Sequence, residues 1–216
     1  MEYYKAISGK VGDKIIISRD MLESVTKAKE LLLANEFTYP YFFNSQIETE
    51  LLHQLPIYFT YRGMECKALL DGVLIDHKEK IIKPFDLKTT GRSVWEFKDS
   101  FLQYGYYRQC AFYEQALLSY DSPIKSLLED GYIVDDFLFI VTETNAKSTR
   151  PAIMYSVSKT DREAGLIGGT IGNSTFPGIH QLMDDFAWHT NTNYWEMPRN
   201  LYESGGIIKL NLFNNE

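Results

Sequence analysis

Three charged side chains set within 18 residues of one another are the part of this sequence best suited to chemistry. They are Asp71, Asp86 and Lys88, in the stretch ALLDGVLIDHKEKIIKPFDLKTT from Ala68 to Thr90. Asp86 and Lys88 lie two residues apart, so in a strand both point to one face while Leu87 points to the other, into the core. Asp71 sits in an apolar segment, Cys66–Ile75, that reads as a buried strand. A carboxylate there is costly unless it is paired, protonated or bound to a cation. The polar run Asp76–Lys80 reads as a turn, with a second arm over Ile81–Lys88. If the two arms pair, Asp71 approaches Asp86. Two close carboxylates repel, and a shared proton or a divalent cation relieves that. Mg²⁺ suits such a pair because it takes oxygen ligands and is commonly held by one or two carboxylates together with substrate phosphate. The plainer reading is an ordinary ion pair on an edge strand, a position that Pro84 would suit.

The elements that must position these residues follow from pattern. Ile15–Ile17 reads as a short strand. Asp20 is the expected N-cap of a helix, with Glu23 completing a capping box, and Leu22, Val25, Ala28 and Leu32 share its packing face. The aromatic segment Glu36–Asn44, broken by Pro40, reads as a packed connection. Pro56 argues against a helix across 46–72; Ile57–Tyr61 and Glu65–Leu70 are expected as strands turning at Arg62-Gly63. After Gly91, one helix is expected from Val94 to Ser119. It carries Tyr106, Gln109 and Tyr113 along one face, with core contacts from Phe101, Ala111, Leu117 and Leu118. Such a stripe is either a set of core tyrosines or the wall of a groove. Further on, Thr160 and Glu163 form a capping-box pattern. GLIGGTIGNSTFPG reads as a loop before a helix over Ile179–Trp188, and Trp188, Tyr194 and Trp195 are expected to pack the C-terminal tail.

Composition narrows the function classes. With 216 residues, 44% of them hydrophobic and 14% aromatic, the chain has enough apolar material for one full core. A net charge of −7 argues against non-specific coating of nucleic acid, so any such role needs a local basic surface or bound cations. Cys66 and Cys110 have no metal-ligand or disulfide-framework spacing, which fits a reducing, intracellular setting. No apolar run approaches the ~20 residues that span a bilayer, and the first residues lack a signal-peptide pattern.

Asp71, then Asp86-Leu87-Lys88, then the run Tyr104 to Tyr113 containing Gln109 and Tyr113, resembles the PD-(D/E)XK nuclease superfamily. The resemblance is to its RecE-like (exonuclease VIII) and lambda-exonuclease-like branch, in which an Asp strand, a D-x-K strand and a Gln-x-x-x-Tyr helix occur in this order. GKVGDKIIISRDMLESVTKAKELL resembles the helix before the core of RecE-like proteins, and DDFLFIVTET with AIMYSVSKTDREAG resembles their closing strand–strand–helix. The implied fold is an α/β domain with a PD-(D/E)XK (restriction-endonuclease-like) core, a central mixed β-sheet flanked by helices. It is divided into a helical lead-in over 1–45, a catalytic core over 46–160 and a C-terminal helix and tail over 161–216.

The implied activity is Mg²⁺-dependent hydrolysis of DNA phosphodiesters from duplex ends, 5′→3′, in phage or prophage recombination, with Mn²⁺ as a substitute metal. Asp71, Asp86 and the Leu87 carbonyl would hold the metal, with Glu50, ahead of Glu48, as the upstream acid. Lys88 would position the attacking water, and Gln109, Tyr113, Tyr106 and Arg108 would contact DNA. A single-strand annealing protein as partner, a ring-shaped homo-oligomer and a bacterial cytoplasmic setting go with the same resemblance. Many relatives also carry a histidine in an earlier helix; His53 lies in a different context and is read as a surface or core residue. Two other readings stay open: a nuclease-fold module that binds DNA or joins a virion without turnover, and a structure-specific or restriction-type endonuclease.

Overall fold

A computed structural model describes residues 16–43 and 48–210. Among these residues, helix α1 (Arg19–Ala34) and a 3-10 turn at Tyr39–Tyr41 precede three long strands, β1 (Thr49–Tyr61), β2 (Met64–Asp76) and β3 (Ile81–Thr90). A 3-10 turn at Val94–Glu96 leads into α2 (Phe97–Gln103), α3 (Tyr106–Leu118) and α4 (Lys125–Glu129). The chain then returns to the sheet through β4 (Ile133–Val134), β5 (Phe137–Glu143) and β6 (Ile153–Val157). Helix α5 (Lys159–Ile167), a small hairpin of β7 (Gly169–Ile171) and β8 (Ser174–Phe176), α6 (Ile179–Thr192) and α7 (Arg199–Glu203) complete it.

The sheet is mixed and mostly antiparallel, in the order β1-β2-β3-β5-β6. β3 is internal, not an edge. Its parallel neighbours on one side come in succession, β4 at Ile81–Ile82 and β5 from Phe85 onward. Pro84, which has no N–H to offer a ladder, falls in the gap between them. α3 covers one face: Ala116 and Leu117 pack with Ile57, Phe59, Leu70, Val73 and Ile82, and Cys110 packs with Phe97, Phe137, Phe139 and Val141. α1 covers the other through Leu32, against Leu74, Phe85 and Ile140.

The strands β1 and β2 change phase half-way. Ala68 and Leu70 face the α3 side before Asp71, whereas Val73 and Ile75 face it after, so the alternation slips by one residue at Asp71–Gly72. That slip is why the arm reads as apolar on both faces. Beyond it, toward the Arg62-Gly63 turn, the outer face is open: Tyr58, Lys67 and Leu69 are exposed.

Several expectations are corrected. The N-cap of α1 is Ser18, whose side chain accepts from Met21 N–H; Asp20 lies in the first turn and Glu23 pairs with Arg19. Ala28 and Leu32 of that helix are buried, but Leu22 and Val25 are exposed. Ile16 and Ile17 form no strand; Ile15, residues 9–14 of the lead-in and Asn44 lie outside the described residues. β1 starts at Thr49 and runs through Pro56, which the free edge tolerates. The helix expected over 94–119 is broken at Tyr104-Gly105, where Gly105 takes φ 68°, a left-handed conformation that a glycine adopts without strain. Leu118 is exposed rather than core. Ser158, not Thr160, caps α5, accepting from Asp161 N–H. The glycine-rich segment after α5 contains the β7–β8 hairpin, and α6 extends to Thr192. In the tail, Tyr194 stacks on Tyr202 at 4.9 Å and Trp188 lies 5.6 Å from Tyr202.

Candidate active site

The site forms where β2 and β3 part. Their ladder pairs Asp76 with Ile81 through Gly72 with Phe85 and then stops; β2 continues with β1 alone, and β3 continues with β5. Carrying the register one step past the last pair sets Asp71 opposite Asp86. Gly72 is needed at the fork because the Phe85 ring fills the space of its missing side chain: a Cβ there would lie 2.0 Å from the ring. Asp71 Oδ2 accepts from the backbone N–H of Leu87 at 2.9 Å, which ties β2 to β3 across the opening.

Asp86 is buried at 3% exposure, and α3 supplies its company. Gln109 Nε2 donates to Asp86 Oδ1 at 2.8 Å, while Lys88 Nζ donates to Gln109 Oε1 at 2.9 Å. Lys88 Nζ also stands 2.6 Å from Asp86 Oδ2, so the buried carboxylate meets an amide on one oxygen and an ammonium on the other. The ammonium lies 4.4 Å above the Tyr106 ring and 5.6 Å from that of Phe139, within cation–π range of both. Burial pushes the Asp86 carboxyl above the usual range; Lys88 works against that, nearby Asp71 adds to it, and Gln109 opposes it. Tyr113 completes the wall. Burial raises its hydroxyl, its bond with Gln109 lowers it, and the two carboxylates raise it further.

The structure thus brings together Asp71, Asp86, Leu87, Lys88, Gln109, Tyr113 and Tyr106. It separates two others. Glu50 pairs in register with Ile75, four residues from Asp71 along the strand, or roughly 13 Å at about 3.3 Å per residue. Its carboxylate faces His77 at 3.3 Å instead. Arg108 turns away from the carboxylates: its guanidinium donates to the Tyr107 hydroxyl and to the Pro177 carbonyl, fastening α3 to the chain ahead of α6. Glu48 is exposed just before β1, its carbonyl accepting from His77 N–H, and His53 sets its ring 6.3 Å from Phe85. Neither cysteine joins the site. Burial pushes the Cys110 thiol up to about 12.

One residue at the site has no motif to announce it. Gln54 on β1 stands opposite Asp71 by register, and its Nε2 donates to Asp71 Oδ1 at 3.2 Å. Counting back from the Arg62-Gly63 turn would have found it, since Tyr61 opposite Met64 puts Gln54 opposite Asp71.

The donor set fits a hard divalent cation in one specific respect. Asp71 accepts one neutral donor on each oxygen and keeps a lone pair on each, while the Lys88 ammonium is the partner of Asp86 Oδ2. Among the described residues no cluster of three or more His, Cys, Asp or Glu side chains is placed to hold a metal. A two-carboxylate site remains compatible with Mg²⁺, which keeps several waters and takes further oxygens from substrate.

No protein-family profile and no curated protein matches the chain. Among solved structures, it is similar to a protein from Eubacterium rectale named "Putative exonuclease". The TM-score is 0.54 at 11% identity, over 98% of this chain and 71% of that one. At that identity the likeness concerns the fold alone, a mixed α/β arrangement. A second structure, named SSO0001, aligns over 94% of this chain and 72% of its own with 14% identity, but its TM-score of 0.33 carries no argument. No helix among the described residues is long and apolar enough to cross a membrane.

Proposed function

We propose that the chain is a metal-dependent deoxyribonuclease of the PD-(D/E)XK type, RecE-like, acting as an exonuclease on duplex DNA ends. The observation that carries the reading is the closed set Asp86–Gln109–Lys88, with Asp71 facing it across the fork. Asp71, Asp86 and the Leu87 carbonyl are the residues that would hold Mg²⁺, or Mn²⁺ in its place. When bound, such a cation supplies charge neutralisation at the scissile phosphate and a more acidic water. The chain's own work lies in placement. Gln109, bonded at both ends, keeps the Lys88 ammonium beside Asp86, where it can hold a water by hydrogen bonding and offset negative charge that develops on the phosphate. Tyr106 and Phe139 shield that ammonium from bulk water, which strengthens its field. Tyr113 and Tyr106 offer edges and faces for a DNA end. A 5′→3′ direction, a ring-shaped oligomer, a single-strand annealing partner and a phage or prophage recombination role in the bacterial cytoplasm belong to this proposal through the family resemblance.

Release of nucleotides from linear duplex DNA with Mg²⁺, lost with EDTA, tests it. Covalently closed circles should stay intact; their cleavage would move the assignment to an endonuclease. A second reading, a nuclease fold that binds DNA without turnover, is favoured by the position of Glu50. With that residue in register with Ile75 and not Asp71, no third acidic, histidine or cysteine side chain joins the two carboxylates at the fork among the described residues.

A further inference from the structure

We infer that Gln54 is a positioning residue for the proposed metal site: its side-chain amide holds the Asp71 carboxylate in the orientation that receives a divalent cation. The inference rests on the nuclease reading and goes further by adding a residue that the D-x-K and Gln-x-x-x-Tyr motifs do not contain.

The backbone at Gln54 is the first reason. Its φ is 50°, in the left-handed region, although it lies inside a strand with paired residues on both sides, His53 with Gly72 and Leu55 with Leu70. The other described non-glycine residues with positive φ, Arg62, Lys80 and Asn193, sit at a hairpin turn, at the end of a turn and at a helix C-cap, where the chain must reverse or stop. No reversal occurs at Gln54. The twist instead accompanies the phase slip of β1 and β2, which puts Asp71 at the mouth of the fork.

The second reason is the division of labour around Asp71. Each of its oxygens has one neutral donor, Gln54 Nε2 on Oδ1 and the Leu87 N–H on Oδ2. Two neutral donors from opposite strands fix the plane of the carboxylate without cancelling its charge. A lysine or arginine at position 54 would hold it equally well but would compete with a cation, whereas an amide leaves each oxygen a lone pair to give. Hydrogen-bonded partners of this kind orient ligands, and their loss commonly weakens metal binding roughly 10- to 100-fold.

A purely structural role predicts something different, and two substitutions separate them. Gln54→Gly and Gln54→Asn both suit a left-handed backbone better than glutamine does, and neither should carry the amide to Asp71 Oδ1. Thermal unfolding without metal should therefore show a melting temperature at or above wild type. Mg²⁺ titration by calorimetry should meanwhile show affinity lowered roughly 10-fold or more. Duplex degradation by both variants should recover at high Mg²⁺, a rise in the Mg²⁺ requirement with the maximal rate retained. Wild-type Mg²⁺ affinity in both variants would overturn the role of Gln54 while leaving the metal site standing. Absence of any Mg²⁺ binding by the wild-type chain, with Asp71→Asn as the control, would overturn the site itself and this inference with it.

Discussion

Asp71 reaches across the parting of β2 and β3 to accept from the Leu87 N–H at 2.9 Å. The bond takes over where the backbone ladder ends at Gly72–Phe85, so one carboxylate is fixed at the open end of a sheet whose strands no longer pair. Asp86, next in register, is fixed from the other direction by Gln109 of α3. The fork, not either strand alone, makes the site.

The close contact at Gly72 sets the fork, so Gly72→Ala should be felt in stability. A methyl group 2.0 Å from the Phe85 ring forces the ring or the strand to move, and overpacking of this kind costs about 1–3 kcal/mol. Denaturant titration at neutral pH checks it. Unchanged stability would mean that the ring has free space on the α1 side.

Gln109 is bonded to both charged partners, so Gln109→Ala should free Lys88 and Asp86 together. Nuclease activity is expected to fall roughly 10- to 100-fold, the usual effect of removing a residue that orients ligands. Stability should also fall, by about 1–3 kcal/mol, because a buried carboxylate loses a donor. A turnover assay paired with thermal unfolding separates the two effects.

Asp86→Asn should stabilise the metal-free chain while removing Mg²⁺ binding. Burial raises the Asp86 carboxyl, so its favourable contribution is complete below the usual carboxylate range and is lost as pH rises through its raised value. The melting temperature of the variant should therefore exceed that of wild type at neutral pH, and the two should converge in acid. A variant less stable than wild type at neutral pH would show that the Lys88 ion pair outweighs burial.

Glu143 predicts the opposite pH course. Burial alone would raise this carboxyl, but bonds from Ser148, Arg150 and the Val94 N–H outweigh it and hold it below the usual range. Its stabilisation is present above that range and lost as pH falls through the depressed value. Glu143→Gln should cost about 1–3 kcal/mol at neutral pH, by the value of hydrogen bonds to a buried charge, and progressively less in acid. Denaturant curves across that range measure it.

How much of this was legible in the sequence differs from residue to residue. The hairpin carrying Asp71, Asp86 and Lys88 could be read because a polar turn separates two apolar arms, and the Gln109/Tyr113 face because helical spacing survives the break at Gly105. Glu50, the upstream acid that the resemblance implies, carries no register by itself, and pairing with Ile75 sets it away from Asp71 along the strand. Arg108 is placed on DNA only by the family resemblance, and its actual direction depends on a carbonyl 69 residues away, at Pro177. Gln54 and the phase slip at Asp71 were hidden for a related reason. A left-handed residue inside a strand leaves no periodicity, and an amide gains its meaning only from the carboxylate opposite.

Lys88 offers the most direct test of the central claim. Wild type and Lys88→Ala should be compared on end-labelled linear duplex DNA with Mg²⁺ and with EDTA, after matched unfolding curves show both to be folded. Nucleotide release by wild type that needs Mg²⁺ and disappears in Lys88→Ala is the predicted result. Mg²⁺-supported degradation that survives the substitution, or no release by folded wild type, would contradict the account.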